Sequence, residues 1–437
     1  MLSEEWEESK RREESSLSDC GDNEGPLQKK TKLFTSDAER QSSSLPTNPP
    51  GQTFFVNPPV FITELYPPCC EEDSADSALF SKVESNLLNH QDPLVLKNII
   101  CSDWLRLCYL EKPCPPYVWQ WLFQIMCRSH DQELCSGAFK SLTSLIQIAK
   151  HRQDVVSILI PSLSDLKDIL IHLGAPSSVL SVSTCEPVEE DGVFDVAPPM
   201  QNLSYMLQYL VICLKSGLES CYSIEDIETL IMLLVRLSLD HHVCGELIEW
   251  QVSLCIAALV GVVPDDQWEG LFVKLVSKIT ALSEHHHDKL YMTRLISGTS
   301  KRLHHLQKEL CRKSLEQLIE LEESRTSASG NCHLIRCVVE HFLKQQRSES
   351  FEDYYAMYSV FSLVTLLMHP AEMLWPSAQE KKELSILLGN LSSTRIRDNP
   401  EYPERSVVKD LVIRLMLEVK SQKDKTAKQQ DLFAYVS

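Results

Sequence analysis

At 437 residues, 43% of them hydrophobic, the chain is long enough for two or three domains or one extended array, and apolar enough for a large core. Its formal net charge of -19 opposes non-specific adhesion of the whole molecule to DNA or anionic lipid. With 13 glycines against 22 prolines it is poor in the glycine-rich ligand loops of an α/β enzyme, and no charge-free apolar run is long enough to cross a membrane.

Residues 1–50 combine SEEWEESKRREESSLSD with QSSSLPTNPP and lack apolar periodicity, which predicts a disordered polar segment. Within it Lys29, Lys30 and Lys32 read either as a nuclear-import signal or as an ordinary solvated charge run. Residues 51–76 predict an extended strap, because 52–70, QTFFVNPPVFITELYPPCC, is apolar and aromatic text between proline pairs that disfavour a helix. Two roles for it stay open. It covers its own domain, or Phe54, Phe55 and Phe61 contact a partner. Cys69 and Cys70 are adjacent but lack the CxxC spacing of a redox or metal site.

Apolar residues then recur at three- and four-residue intervals, predicting a first helical section over 77–182. Trp104, Trp119, Trp121 and Phe123 are its candidate core anchors, and Pro113, Pro115 and Pro116 mark a turn between helices. Residues 183–199, STCEPVEEDGVFDVAPP, replace this rhythm with acids and prolines and predict an acidic loop or domain joint. A second helical section over 200–420 is predicted as helices at 200–216, 224–239, 243–261, 265–283, 288–322, 331–346, 351–368, 380–391 and 404–419, followed by a polar tail at 421–437. The fold class is therefore all-α, an irregular HEAT/armadillo-like helical array with a disordered N-terminal segment, because no motif repeats at a fixed period.

Little in this text carries chemistry. Glu284, His285, His286, His287 and Asp288, with His304 and His305 nearby, are dense in metal-ligating types. Successive helical side chains point apart, however, and neither HExxH nor a finger spacing is present, so solvated or capping histidines are the expectation. His241 and His242 before Cys244, and Cys332 and His333 before Cys337, likewise specify no tetrahedral shell. Cys311 near His304 lacks the orienting partner of a thiol nucleophile. No GxGxxG, GxxxxGK[ST] or GxSxG occurs, and the acidic pairs at Asp265–Asp266 and Glu189–Glu190 suit loops or surfaces. No cofactor and no catalytic residue is expected. The 16 cysteines, with several such as Cys127, Cys213 and Cys255 inside apolar stripes and no apolar leader after Met1, predict a reducing compartment and buried thiols. One stretch, 274–313, is a positive island in which Lys301, Arg302, Lys308, Arg312 and Lys313 could contact phosphate if aligned on one face.

The text PPYVWQWLFQIMCRSHDQELCSGAFKSL at 115–142, the interrupted helical body, and ERSVVKDLVIRLM at 404–416 together resemble the FAM178 family over roughly 50–420. The resemblance implies a helical module of the Nse-six type that pairs with an Nse-five-like helical protein and brings the SMC five/six complex to damaged DNA. It supplies no catalytic residues. It also implies that a long amino-terminal extension of the larger family member is mostly lacking, which bears on recruitment more than on partner pairing. The expectation is a nonenzymatic nuclear scaffold that helps recruit or regulate the SMC five/six complex in DNA repair. The alternatives are direct DNA binding through the basic face and an unrelated helical adaptor.

Overall fold

In the computed structural model, the described residues are 52–62, 92–102, 104–153, 158–180, 197–216, 222–244, 247–320, 330–345, 350–368, 378–396 and 403–421. The polar head with Lys29, Lys30 and Lys32, the cysteine pair Cys69–Cys70, nearly all of the acidic loop and nearly all of the polar tail lie outside them. The described body is an irregular array of α-helices, as the spacing predicts. It begins with α1 (Pro93–Cys101), α2 (Trp104–Cys108), α3 (Pro116–Arg128), α4 (Gln132–His151) and α5 (Leu163–His172). It continues with α6 (Met200–Leu214), α7 (Ile224–Ser238), α8 (Leu247–Val262), α9 (Asp265–Thr280) and α10 (His286–Leu295). The last are α11 (Lys301–Leu318), α12 (Gly330–Lys344), α13 (Phe351–Leu367), α14 (Ala378–Asn390) with a π-helical turn at Leu391–Arg395, and α15 (Pro403–Ser421).

Local chemistry starts these helices where it should. Asp92 caps α1 just ahead of Pro93, and Asp131 accepts from the Glu133 and Leu134 amides at the head of α4. Ser162 with Asp165 and Ser223 with Asp226 form capping boxes at α5 and α7. One expected helix, 288–322, is two. The text Ile296-Ser-Gly-Thr-Ser300 interrupts it, and Ser300 restarts the chain as the N-cap of α11 by accepting from the Leu303 amide at 3.2 Å.

Helices stack from α3 on α4 through α6, α8, α7, α9, α11 and α13 to α15. One apolar core runs from Phe54 to Leu310 and so continues across 183–199. Asn202 of α6 shows why: it is buried, donates to the Ser129 carbonyl at 2.8 Å and accepts from Gln132 at 3.1 Å, tying α6 to the α3–α4 turn. A second core runs from Leu290 to Val419, and α10 and α11 face both. Trp119, Trp121 and Phe123 are core residues as expected, with the Trp119 indole donating to the Cys114 carbonyl at 3.2 Å. Trp104 is not. It is 53% exposed, because five-residue α2 turns only Leu105 fully inward. Cys127, Cys213 and Cys255 are buried free thiols, and burial pushes the Cys127 and Cys255 thiols up.

Candidate interaction surface

Residues 52–62 form an extended strap whose amides run across the C-terminal ends of helices, where carbonyls lack intrahelical partners. Gln52 N–H donates to Leu239 O at 2.7 Å at the end of α7, and its side chain donates to Leu282 O beyond α9. Val56 and Asn57 both donate to Gly174 O, Val60 donates to His172 O at the end of α5, and Ile62 donates to Arg128 O at the end of α3. Gly174 makes the closest approach. Its φ is +111°, and a Cβ there would stand 2.2 Å from Asn57 O, so only glycine fits.

Asp240 fixes the middle of the strap. It is fully buried, its Oδ2 accepts from the Phe54 and Phe55 amides at 2.8 and 3.1 Å, and its Oδ1 accepts from the His242 amide at 2.9 Å. A carboxylate just past the C-terminus of α7 opposes the helix dipole, and the three amides aimed at it offset that. Phe54 and Phe55 are 2% and 1% exposed and meet edge to face, their centroids 5.1 Å apart. While the strap is seated they have no surface to offer a partner, so of the two roles read from the sequence they serve the intramolecular one. Phe61 is partly buried, edge-on to His130.

The histidine run is neither solvated nor a metal shell. His285 caps α10 by accepting from the His287 amide, as one branch of the expectation had it. His286 bonds the Ser359 hydroxyl at 2.9 Å and His287 bonds the Tyr355 hydroxyl, so both reach inward to α13. Among the described residues no group of three or more His, Cys, Asp or Glu could hold a metal ion. Burial, helped by neighbouring positive groups, pulls both imidazoles down to about 4. They stay neutral in the fold while the unfolded chain takes up protons below about 6.5. Between those values the unfolded state binds more protons, so stability falls as pH falls. Asp288, whose carboxyl is pushed up by burial, opposes this at the acid end. Urea unfolding should lose roughly 1–2 kcal/mol from this pair between pH 7 and 5, after allowance for solvent screening, and His286→Asn with His287→Asn should flatten the slope. An unchanged slope in that variant would place the acid sensitivity elsewhere.

The positive island is largely consumed within the fold. Lys274 and Lys278 converge on Glu228, and buried Lys289 donates to Thr280 O and Gln317. Arg302 pairs with Asp265, lies 5.3 Å from the Trp268 ring centroid and donates to Val260 O and Val263 O, closing the C-terminus of α8. Arg312 is held between Glu309 and Glu316, which raise its pKa. Lys301 is exposed, and Lys308 and Lys313 are partly buried along α11. These five side chains therefore do not form one open cationic face. The cysteine candidates fare similarly. Burial pushes the Cys332 thiol up to about 11 and raises Cys337, which lies 3.6 Å from His333 Nδ1, while Cys311 is fully buried. The described body is helical, and none of these cysteines is an activated thiol.

The sequence reading missed an open groove of about 370 Å³ between α8 and α10, lined by Leu247, Glu249, Trp250, Ser253, Arg294 and Leu295. Leu247 is 85% and Trp250 66% exposed. The available signal was that α8 carries apolar residues on opposite faces, which in an array means either complete enclosure or an uncovered face. Among the described residues no helix is long and apolar enough to cross a membrane.

A family model described as the Coiled-coil and Nse Interacting (CANIN) domain matches residues 1–324. Among curated proteins the chain is similar to Protein FAM178B of Homo sapiens, 25% identical over 437 residues that cover 90% of this chain and 62% of that protein. It is also similar to SMC5-SMC6 complex localization factor protein 2 of Danio rerio, 24% identical over 366 residues covering 73% of this chain and 32% of the relative. The protein of that name from Mus musculus is 23% identical over 370 residues, covering 72% and 28%. The chain thus spans less than two thirds of the length of each.

Proposed function

We propose that this chain, which belongs to the Coiled-coil and Nse Interacting (CANIN) domain family, is a nuclear scaffold that pairs with an Nse-five-like helical protein and helps recruit or regulate the SMC5-SMC6 complex in DNA repair. The observation that carries the reading is the family match over residues 1–324, joined by two relatives whose names assign them to localization of that complex. The geometry supports it from the other side. A helical body pinned by its own strap, with no metal-holding group among the described residues, acts by holding partners at raised effective concentration. Direct DNA binding gains little from the basic island, since Arg302 and Arg312 are held by carboxylates of the same chain.

Affinity capture with the full chain from nuclear extract, after nuclease treatment and high-salt washing, tests this reading. Retention of SMC5-SMC6 subunits is the expected result. Subunits lost on nuclease treatment would point instead to a shared DNA tether, and their absence with a folded bait would favour an unrelated helical adaptor.

A further inference from the structure

Helix α8 carries two apolar faces. Ile248, Val252, Cys255, Ile256, Leu259 and Val260 face the core and are buried. On the other side Leu247, Trp250, Leu254, Ala257 and Gly261 follow one another at intervals of three, four, three and four, the a/d spacing of a helix that receives a second helix lengthwise. Leu247 and Trp250 are largely exposed, Leu254 and Ala257 are partly buried, and Gly261 is exposed with nothing within 4 Å of where its Cβ would be. The seam is bulky at its N-terminal end and small at its C-terminal end, so an incoming helix could approach the backbone closely near Gly261.

Charge supplies the second constraint. Arg294, exposed at the end of α10, borders the groove beside Trp250 and has no carboxylate partner among the described residues, whereas Glu249 lies on the opposite lining. We infer that the outer seam of α8 is the docking surface for an amphipathic helix of a partner protein. That helix is about four turns long, with an apolar a/d stripe, an acidic residue opposite Arg294 and a basic one opposite Glu249. The length follows from the 14-residue separation of Leu247 and Gly261, about 21 Å at helical rise. This surface lies wholly inside the family-matched residues 1–324. The inference rests on the scaffold reading and gives it a contact site, in place of the buried Phe54 and Phe55.

Three single variants of the full chain test it against purified SMC5-SMC6 complex as the probe: Trp250→Glu, Arg294→Glu and Gly261→Leu. None removes a buried contact, so thermal midpoints should stay unchanged, and Gly261→Leu should if anything raise its own. In a binding titration each should weaken the complex by about tenfold or more. Wild-type binding with all three variants within about twofold of it would place the contact elsewhere and overturn this inference while leaving the scaffold reading intact. No wild-type binding would overturn both. Self-association of the wild type that Trp250→Glu abolishes, seen by sedimentation, would make a second copy the occupant and also overturn it.

Discussion

Asp240→Ala is expected to lower the unfolding free energy by about 3–5 kcal/mol, the range for leaving buried polar partners unsatisfied at a charged hydrogen-bonding centre. The carboxylate is the acceptor for the Phe54, Phe55 and His242 amides, at 2.8, 3.1 and 2.9 Å, in a fully buried position. Alanine removes it and leaves those donors facing apolar surface. The loss should begin locally: hydrogen exchange at the Phe54 to Asn57 amides should rise before that of the α3 and α4 cores. Asp240→Asn keeps one acceptor oxygen and turns an NH₂ toward the remaining donors, so its effect should be large but smaller. Urea unfolding of the three chains decides the matter. A midpoint for Asp240→Ala within experimental error of wild type would mean that the strap is not held by this carboxylate.

The paired substitution Phe54→Ala with Phe55→Ala should destabilise by about 5 kcal/mol or more, given about 3–5 for each buried phenylalanine. The sum is not fully additive, because the two rings touch. Against the usual net stability of about 5–15 kcal/mol this brings the chain close to unfolding, so soluble yield should collapse along with the melting temperature. Phe61→Ala, at a partly buried position, should cost about 1 kcal/mol and leave yield unaffected. The two substitutions also separate the two roles that the aromatic segment suggests. A double variant that stays monomeric, soluble and as stable as wild type, yet fails to bind a partner, would assign Phe54 and Phe55 to an interface after all.

The helices were legible because their signals are local. Apolar residues recur every three or four positions, and Asp92, Asp131, Ser162 and Ser223 stand where the caps proved to be. The break inside 288–322 was legible too, in Ser297, Gly298 and Ser300, but the strong flanking periodicity masked it. Trp104 was misread because residue type says nothing about how much neighbouring structure reaches the end of an array. Proline pairs gave the strap its extended form, whereas its anchor did not show in the text: Phe54 and Asp240 are 186 residues apart. Within the basic island the pairing of Arg302 was hidden for the same reason. Charges adjacent along α11 looked like a shared face, while Arg302 is tied to Asp265, 37 residues earlier, and to α8 carbonyls. Long-range pairing positions the strap and Arg302, and one sequence holds no record of it, whereas the pairing of Arg312 with Glu309 and Glu316 is local.

The proposed function requires that the folded helical body of this chain itself hold the SMC5-SMC6 complex. Analytical ultracentrifugation of the purified full chain with purified SMC5-SMC6 complex, free of nucleic acid and at physiological salt, tests it most directly. The expected result is a single faster-sedimenting species of fixed stoichiometry that survives higher salt. Two independent boundaries, with the chain folded and the complex intact, would contradict it.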